Sequence, residues 1–175
     1  MCIRDSIYHL PATDTTSAKF NEAGNWVSGL FGIYNGVSAV YALLLPSLAR
    51  ATSRKKAHAF SLTIGGISLL SIFFIQNPTL LIIPMIGIGL AWGSILAMPY
   101  AILSSSIPAT KMGVYMGIFN FFITIPQIIN GFLGAPIVKH FYDGQAIYAI
   151  VLAGVFMLLA AVSVLFVNDK KDITV

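Results

Sequence analysis

Five long apolar runs, separated by short polar segments, constrain this chain more than any other feature of its sequence. A helix needs about 20 consecutive apolar residues to cross the hydrocarbon core of a membrane. Runs of this length lie at residues 24–49, 57–75, 78–105, 113–138 and 146–167, and we number them span one to span five. The segments between them are too short for a domain outside the membrane. The sequence therefore predicts an all-α, polytopic membrane protein with five spans in one helical bundle.

Composition supports this class and excludes others. The chain is 57% hydrophobic and only 9% charged, which lies outside the range of soluble globular domains. The runs are continuously apolar, whereas the strands of a membrane barrel alternate. The net charge of +4 does not indicate nucleic-acid binding, because the basic residues form no stripe. The single cysteine, Cys2, excludes an internal disulfide and a Cys-based metal site, so we expect neither a metal nor another cofactor.

The two ends of the chain need separate treatment. Residues 1–6, MCIRDS, look like a translated sequencing adapter and are excluded from the fold predictions. We therefore expect the natural protein to begin further upstream and this chain to be its C-terminal piece. Residues 7–23 are predicted to be extracytoplasmic, and residues 168–175 form a predicted cytoplasmic tail. Trp26, near the start of span one, is either an interfacial anchor or a side chain packed in the bundle.

The distribution of Lys and Arg predicts the orientation, because short cytoplasmic loops carry an excess of both. Lys19 and Lys139 lie on one side of the predicted bundle, apart from Arg4 in the excluded prefix. The opposite side holds the remaining basic residues, which are Arg50, Arg54, Lys55, Lys56, Lys111, Lys170 and Lys171. We therefore expect a multi-pass protein of the inner cell membrane with its C-terminus in the cytoplasm.

Charged side chains are absent from the predicted spans. All six acidic residues lie outside them, at Asp5, Asp14, Glu22, Asp143, Asp169 and Asp172. Intramembrane carboxylates are the usual proton relays of transporters, so any coupling group is expected outside this segment. The histidines His9, His58 and His140 are assigned to flanking or loop positions. Because no Ser/His or paired-Asp arrangement lies in the spans, we do not expect an enzyme.

Uncharged polar and aromatic side chains concentrate on spans one, three and four, at Tyr34, Asn35, Ser38, Tyr41, Trp92, Ser94, Tyr100, Tyr115, Asn120, Gln127 and Asn130. An unpaired carboxamide in hydrocarbon costs roughly 2–7 kcal/mol. We therefore expect these three spans to face protein or water, with spans two and five outside. The polar groups either join helices by hydrogen bonds or line a cavity, and their clustering on three spans favours the cavity.

Glycines and prolines inside the spans predict close packing and kinks. Three pairs have the small-x-x-x-small spacing that lets helix backbones touch, namely Gly32 with Gly36, Gly89 with Gly93, and Gly113 with Gly117. Pro99 and Pro126 lie inside spans three and four, where each removes a backbone N–H and frees a carbonyl four residues earlier. These two prolines are either hinges of a moving transporter or permanent bends.

Two blocks of the chain resemble a known family. They are FNEAGNWVSGLFGIYNGVSAVYALLLPSLARATSRKKAHAFSL at 20–62 and GIGLAWGSILAMPYAILSSSIPATKMGVYMGIFNFFITIPQIINGF at 87–132. Both are similar to the C-terminal half of bacterial sugar transporters of the major facilitator superfamily, near the sucrose/maltose and glycoside–pentoside–hexuronide:cation symporter group. The resemblance implies a twelve-helix fold of two six-helix halves, in which the five spans are helices eight to twelve. It also implies transport of a disaccharide or glycoside by proton- or cation-coupled symport, together with an N-terminal half that is missing here.

The resemblance assigns roles to individual residues. In this superfamily the first two helices of each three-helix repeat line the central path, which makes spans one, three and four the lining ones. Neutral donors and acceptors in an apolar pocket suit a sugar, and aromatic faces stack on its rings. The candidate substrate-binding residues are therefore Asn120 and Gln127 first, then Asn130, Tyr34, Asn35, Trp92 and Tyr100.

The basic residues after span one occupy the position of the family's cytoplasmic gating loop. They are Arg50, Arg54, Lys55 and Lys56, and a solvated positive-inside loop explains them equally well. A second function also fits the sequence. In that alternative the chain is a non-transporting membrane scaffold or assembly subunit, and its carboxamides only join helices.

We predict that a reporter enzyme active only in the periplasm gives no signal when it is fused after Val175. The excess of Lys and Arg should hold this end of the chain in the cytoplasm. Reporter activity in intact cells is the measurement. A strong signal would reverse the predicted topology.

Overall fold

The computed structural model describes residues 7–11 and 15–168. All regular structure in this part is helical, in α1 (Ala18–Ala51), α2 (Arg54–Ser71), α3 (Ile82–Ser106), α4 (Met112–Phe141) and α5 (Ile147–Leu165). Short 3-10 turns adjoin α2, α3 and α4, at Ile72–Phe74, Pro78–Leu81 and Ala109–Lys111. Together these elements form five helices that are long and apolar enough to cross a membrane. The prediction of an all-helical chain with five membrane-length helices is confirmed. The predicted prefix at 1–6 and most of the predicted tail lie outside the described residues.

Side-chain caps decide where the first two helices begin. Ser17 accepts a hydrogen bond from the Phe20 backbone N–H at 3.0 Å, so α1 starts before the predicted span and includes residues assigned to the extracytoplasmic segment. Ser53 accepts from the Lys56 N–H at 3.2 Å in the same way and starts α2. An N-cap oxygen satisfies an otherwise orphan backbone donor. Polar capping groups, rather than the limits of the apolar runs, therefore set these boundaries.

Residues on either side of the start of α1 are also joined by a side-chain hydrogen bond. The Tyr8 hydroxyl donates to Glu22 Oε1 at 2.7 Å. This hydrogen bond to a carboxylate raises the pKa of Tyr8, because a phenolate could not donate to it. The contact attaches the described segment 7–11 to the first turns of α1.

The turn between α4 and α5 depends on left-handed backbone conformations. Asp143 has φ +49° and Gly144 has φ +77°, a region that glycine enters without strain. The backbone N–H groups of Tyr142 and Gly144 both donate to the Val138 carbonyl, at 3.3 and 2.9 Å. The turn therefore satisfies a carbonyl at the end of α4 and reverses the chain within a few residues.

The helices pack in the spatial order α1, α3, α2, α5, so α2 lies between α3 and α5. In the most apolar stretch of the segment that contains α2, 44% of the residues are buried. In the corresponding stretch of the segment that contains α4, none is buried. The expectation that span two lies outside is therefore wrong for the described residues. The reason is size rather than polarity: Gly65 lies against Ala91 of α3, and Gly66 lies against Leu158 and Gly154 of α5.

Two clusters of buried apolar residues form the core at opposite ends of the bundle. One consists of Ala23, Leu30, Ile72 and Leu81, and Trp26 packs against it. The second consists of Tyr41, Leu45, Ala57 and Met98. Of the two interpretations of Trp26, the structure supports the one in which the indole packs within the bundle.

Large apolar side chains cover the outside of the bundle. Leu43, Phe74 and Phe132 are exposed by 80%, 81% and 77%. Soluble monomers rarely carry continuous apolar surface on this scale, whereas lipid solvates it at no cost. The surface therefore fits the environment that the five helix lengths indicate.

Only one of the three glycine pairs lies at a helix contact. A methyl group added at Gly89 would lie 2.7 Å from the Tyr34 carbonyl oxygen, and one added at Gly93 would lie 2.9 Å from that of Ser38. The other two pairs, Gly32 with Gly36 and Gly113 with Gly117, have no neighbouring atom within 4 Å. Close approach of α1 and α3 therefore requires glycine at two positions of α3.

We predict that Gly93→Ala lowers the free energy of unfolding by roughly 1–3 kcal/mol, because α1 and α3 must separate to admit the methyl group. The matched control is Gly117→Ala in α4, where nothing lies within 4 Å and alanine favours the helix by about 1 kcal/mol. The midpoint of thermal unfolding in detergent measures both. Equal destabilisation by the two substitutions would contradict this packing.

Candidate functional site

A hydrogen bond between two candidate substrate-binding residues joins α3 to α4. The Tyr100 hydroxyl donates to Asn120 Oδ1 at 2.6 Å. Asn120 Nδ2 donates in turn to the Met116 carbonyl of its own helix at 3.0 Å. The Tyr100 ring also meets the Phe119 ring edge to face, with centroids 5.1 Å apart. The hydroxyl and the carboxamide are thus held in fixed positions on an accessible surface.

Two further candidates meet between α1 and α3. The rings of Tyr34 and Trp92 are 6.4 Å apart and nearly perpendicular, at 74°. The Phe31 ring is also nearly perpendicular to that of Tyr34, at 82°, with centroids 5.4 Å apart. Trp92 keeps 40% of its surface exposed, and it precedes Tyr100 on α3 by eight residues, or about 12 Å of helix rise. The aromatic pair and the Tyr100–Asn120 pair therefore lie along α3 at two levels.

The remaining candidates are not brought into these pairs. Asn35 Nδ2 donates to the Phe31 carbonyl of its own helix at 2.8 Å. Gln127 and Asn130 are exposed, like every residue of α4 between them. Neither has a hydrogen bond to another described residue, and the Asn130 carboxamide lies beside Gly134. These two carboxamides thus have no helix to join in the described part of the chain.

The two predicted hinge prolines lie within continuous helices. Pro99 is inside α3 and Pro126 is inside α4, and the helix extends past each of them. Pro46 of α1 and Pro136 of α4 are also internal, although they were not considered as hinges. Whether any of these positions moves stays a prediction.

The basic residues assigned to a gating loop lie on helix ends instead, because only Thr52 and Ser53 separate α1 from α2. Arg54 Nη1 donates to the Ala101 carbonyl of α3 at 3.2 Å. Lys55 Nζ donates to the Val167 carbonyl, just beyond α5, at 3.4 Å. Arg50 donates to Ser47 Oγ within its own helix at 3.1 Å. The start of α2 is therefore tied to two neighbouring helices, and a gating role stays a prediction.

Sequence reasoning missed a buried polar group on α2. His58 was assigned to a loop or flank, which is wrong: it lies in the second turn of α2 and is only 5% exposed. Its Nδ1 is 2.8 Å from Ser94 Oγ of α3. Three residues later, Ser61 Oγ is 2.7 Å from the Tyr41 hydroxyl of α1. The signal that could have found the histidine was its position inside the predicted span 57–75.

A cavity of about 330 Å³ lies beside His58, where α2, α3, α4 and α5 come together. Most of its wall is apolar, from residues including Pro99, Phe119 and Val164, and three polar side chains line it: His58, Ser106 and Asn168. The wall residues of α3 and α5 belong to the C-terminal ends of those helices. These are the ends that meet Arg54 and Lys55, so the cavity lies on the predicted cytoplasmic side.

Comparison with known proteins adds no assignment, because no family model, curated protein or solved structure matches this chain. Among the described residues, no group of three His, Cys, Asp or Glu side chains could hold a metal ion. Inferences about function therefore rest on the two pairs along α3 and on the buried His58.

We predict that cysteine placed at Gln127 reacts with a water-soluble thiol reagent in a Cys2→Ser background, because a carboxamide without a partner belongs in water rather than lipid. Cysteine at Asn120 should react as well. Ile67 and Leu152 are matched controls, since they are 57% and 42% exposed yet apolar, and cysteine there should stay unlabelled. Equal labelling at all four positions would show that these faces do not differ.

Proposed function

We propose that the chain is part of a major facilitator-type transporter that carries a disaccharide or glycoside across the membrane by proton- or cation-coupled symport. The observation that supports this most is the Tyr100–Asn120 hydrogen bond, 2.6 Å long and accessible, on a helix that also presents Trp92. Polar groups held at fixed positions next to an exposed aromatic face are what recognition of a sugar requires.

The hydrogen-bonding capacity of this pair suits sugar hydroxyls. Asn120 Nδ2 uses one hydrogen on the Met116 carbonyl and has a second to donate. The Tyr100 oxygen gives its hydrogen to Asn120 and can still accept. Asn120 Oδ1 can also accept a second hydrogen bond. The pair thus offers both a donor and acceptors, and a hydroxyl group both donates and accepts.

The spacing along α3 favours a substrate with more than one ring. Trp92 and Tyr100 are separated by about 12 Å of helix rise, which two linked sugar rings can bridge more readily than one. The exposed face of Trp92 provides a stacking surface at one level, and the Tyr100–Asn120 pair provides hydrogen bonds at the other. A disaccharide or glycoside is therefore the substrate class that fits best.

The exposed face of α4 indicates that more protein belongs against it. No described residue of α4 is buried, and Gln127 and Asn130 have no partner among the described residues. In a transporter of two halves, a second set of helices and the substrate path cover such a face. The same face also fits the alternative, in which a partner protein covers it and the chain is a scaffold or assembly subunit.

Transport by the full-length protein in sealed vesicles separates the two functions. We expect saturable uptake of a labelled disaccharide, and we expect Tyr100→Phe to raise KM by roughly 2- to 10-fold, the value of one net hydrogen bond. Tyr148→Phe is the matched control, because the Tyr148 hydroxyl bonds no described residue. If the protein transports no disaccharide or glycoside, the transporter proposal is wrong and the scaffold alternative is favoured.

A further inference from the structure

His58 is the buried ionisable side chain that the proposed function does not yet use. It sits inside a membrane-length helix and is 5% exposed. Ionisable groups within membrane spans are costly and commonly mark ion or proton pathways. No carboxylate lies within α2, α3, α4 or α5. A coupling group in these four helices would therefore have to be a histidine rather than an acid.

The hydrogen bond of His58 suits both protonation states. A serine hydroxyl both donates and accepts, so Ser94 Oγ can keep its 2.8 Å contact with Nδ1 in the neutral ring and in the cation. The second ring nitrogen, Nε2, has no hydrogen-bond partner among the described residues. One nitrogen is thus anchored while the other remains available for a proton.

The cavity gives the His58 side chain a route to water. Its volume of about 330 Å³ is room for several water molecules at roughly 30 Å³ each. Ser106 and Asn168 line it with His58, and both lie at the ends of their segments on the predicted cytoplasmic side. A proton can therefore pass between His58 and the cytoplasm through water in this cavity, next to the polar side chains of its otherwise apolar wall.

Among the described residues, no negatively charged group lies close to His58, so the solvation of its protonated form depends on water in the cavity. Arg54 lies one turn before it on α2, and its guanidinium is held on the Ala101 carbonyl. The other titratable side chains on α2 and the surrounding helices are Lys19, Glu22, Tyr34, Tyr41 and Arg50 on α1, Lys55 and Lys56 on α2, Tyr100 on α3, Tyr115, Lys139 and His140 on α4, and Tyr148 on α5. The one acid among them, Glu22, lies at the opposite end of the bundle, where it accepts from Tyr8, so none of them can pair with an imidazolium at His58. A buried cation without a counter-ion is costly, so protonation should favour the conformation in which the cavity is open to water.

We propose that His58, positioned by Ser94, is the group that releases the coupling proton to the cytoplasm, and that its charge biases the bundle towards the open cavity. The first half of this statement rests on the proposed function, whereas the second does not. The chemistry is one reversible proton transfer. Water in the cavity and Nε2 exchange the proton, the ring changes between imidazolium and imidazole, and no other bond changes.

The proposed opening of the cavity is tested with Leu103→Cys, at a half-buried residue of the cavity wall. Its reactivity towards a water-soluble thiol reagent is measured in the full-length protein with Cys2→Ser. Rates are divided by those of the unfolded protein, which removes the intrinsic pH dependence of the thiol. We expect reactivity to rise about threefold or more between about pH 8 and about pH 4, a range wide enough to include the charging of a buried histidine. His58→Gln should abolish the rise. His140→Gln, the same change at an exposed histidine of α4, should leave it intact.

Ser94→Ala tests the positioning role. Without the serine oxygen the imidazolium loses its acceptor, so the midpoint of the reactivity change should move to lower pH. A merely structural effect would change the reactivity at every pH alike. A rise that persists in His58→Gln, or no rise in the unsubstituted protein, would overturn the proposal.

Sugar transport tests the proposal that His58 releases the coupling proton. In vesicles with an imposed proton gradient, His58→Gln should lower the accumulation of labelled disaccharide at least about tenfold. The reason is that no protonatable group then couples the proton gradient to sugar movement. Exchange of sugar without a gradient should continue. Gradient-driven accumulation by His58→Gln at the unsubstituted level would overturn the release role. If the unsubstituted protein transports no sugar, the proposed function and the release role both fail, and the thiol measurement still decides the opening role.

Discussion

The absence of water in the hydrocarbon core is the constraint on which the rest of this structure depends. Every buried N–H and carbonyl there must find a partner within the protein, and a helix provides partners within one segment. The small polar side chains obey the same constraint. Thr63 donates to the Ala59 carbonyl and Ser163 to that of Leu159, each within its own helix. Polar groups that do not bond in this way lie at contacts between helices or, like Gln127 and Asn130, on the exposed face of α4.

Close packing then depends on where the chain has small residues. α2 occupies the centre of the row because Gly65 and Gly66 let α3 and α5 approach it from two sides. α1 approaches α3 at Gly89 and Gly93 for the same reason. Without a hydrophobic driving force between helices in lipid, such backbone approach is a main source of association. Polar content alone therefore does not indicate which helix is central.

α3 connects the two features to which we assign function. One part of its surface carries Trp92 and Tyr100, and another places Ser94 against His58 of α2. The cavity beside His58 is also lined by Pro99, the neighbour of Tyr100 in sequence, and by Phe119, the neighbour of Asn120. A displacement of α3 or α4 at this level would alter the surface formed by Tyr100 and Asn120 and the cavity beside His58 together. Under the proposed function, this proximity is a physical basis for coupling the sugar to the proton.

The sequence by itself determined the class of protein and the number and approximate limits of its helices, because hydrophobic length is a local property. It also identified Tyr34 with Trp92 and Tyr100 with Asn120 as candidates, because aromatic and carboxamide groups are conspicuous in apolar runs. Only the tertiary structure decided which candidates meet, and it left Gln127 and Asn130 without partners in the described part. It also placed α2 in the centre and buried His58 against Ser94. These outcomes depend on contacts between distant residues, and a local pattern of polarity carries no information about which helix faces which.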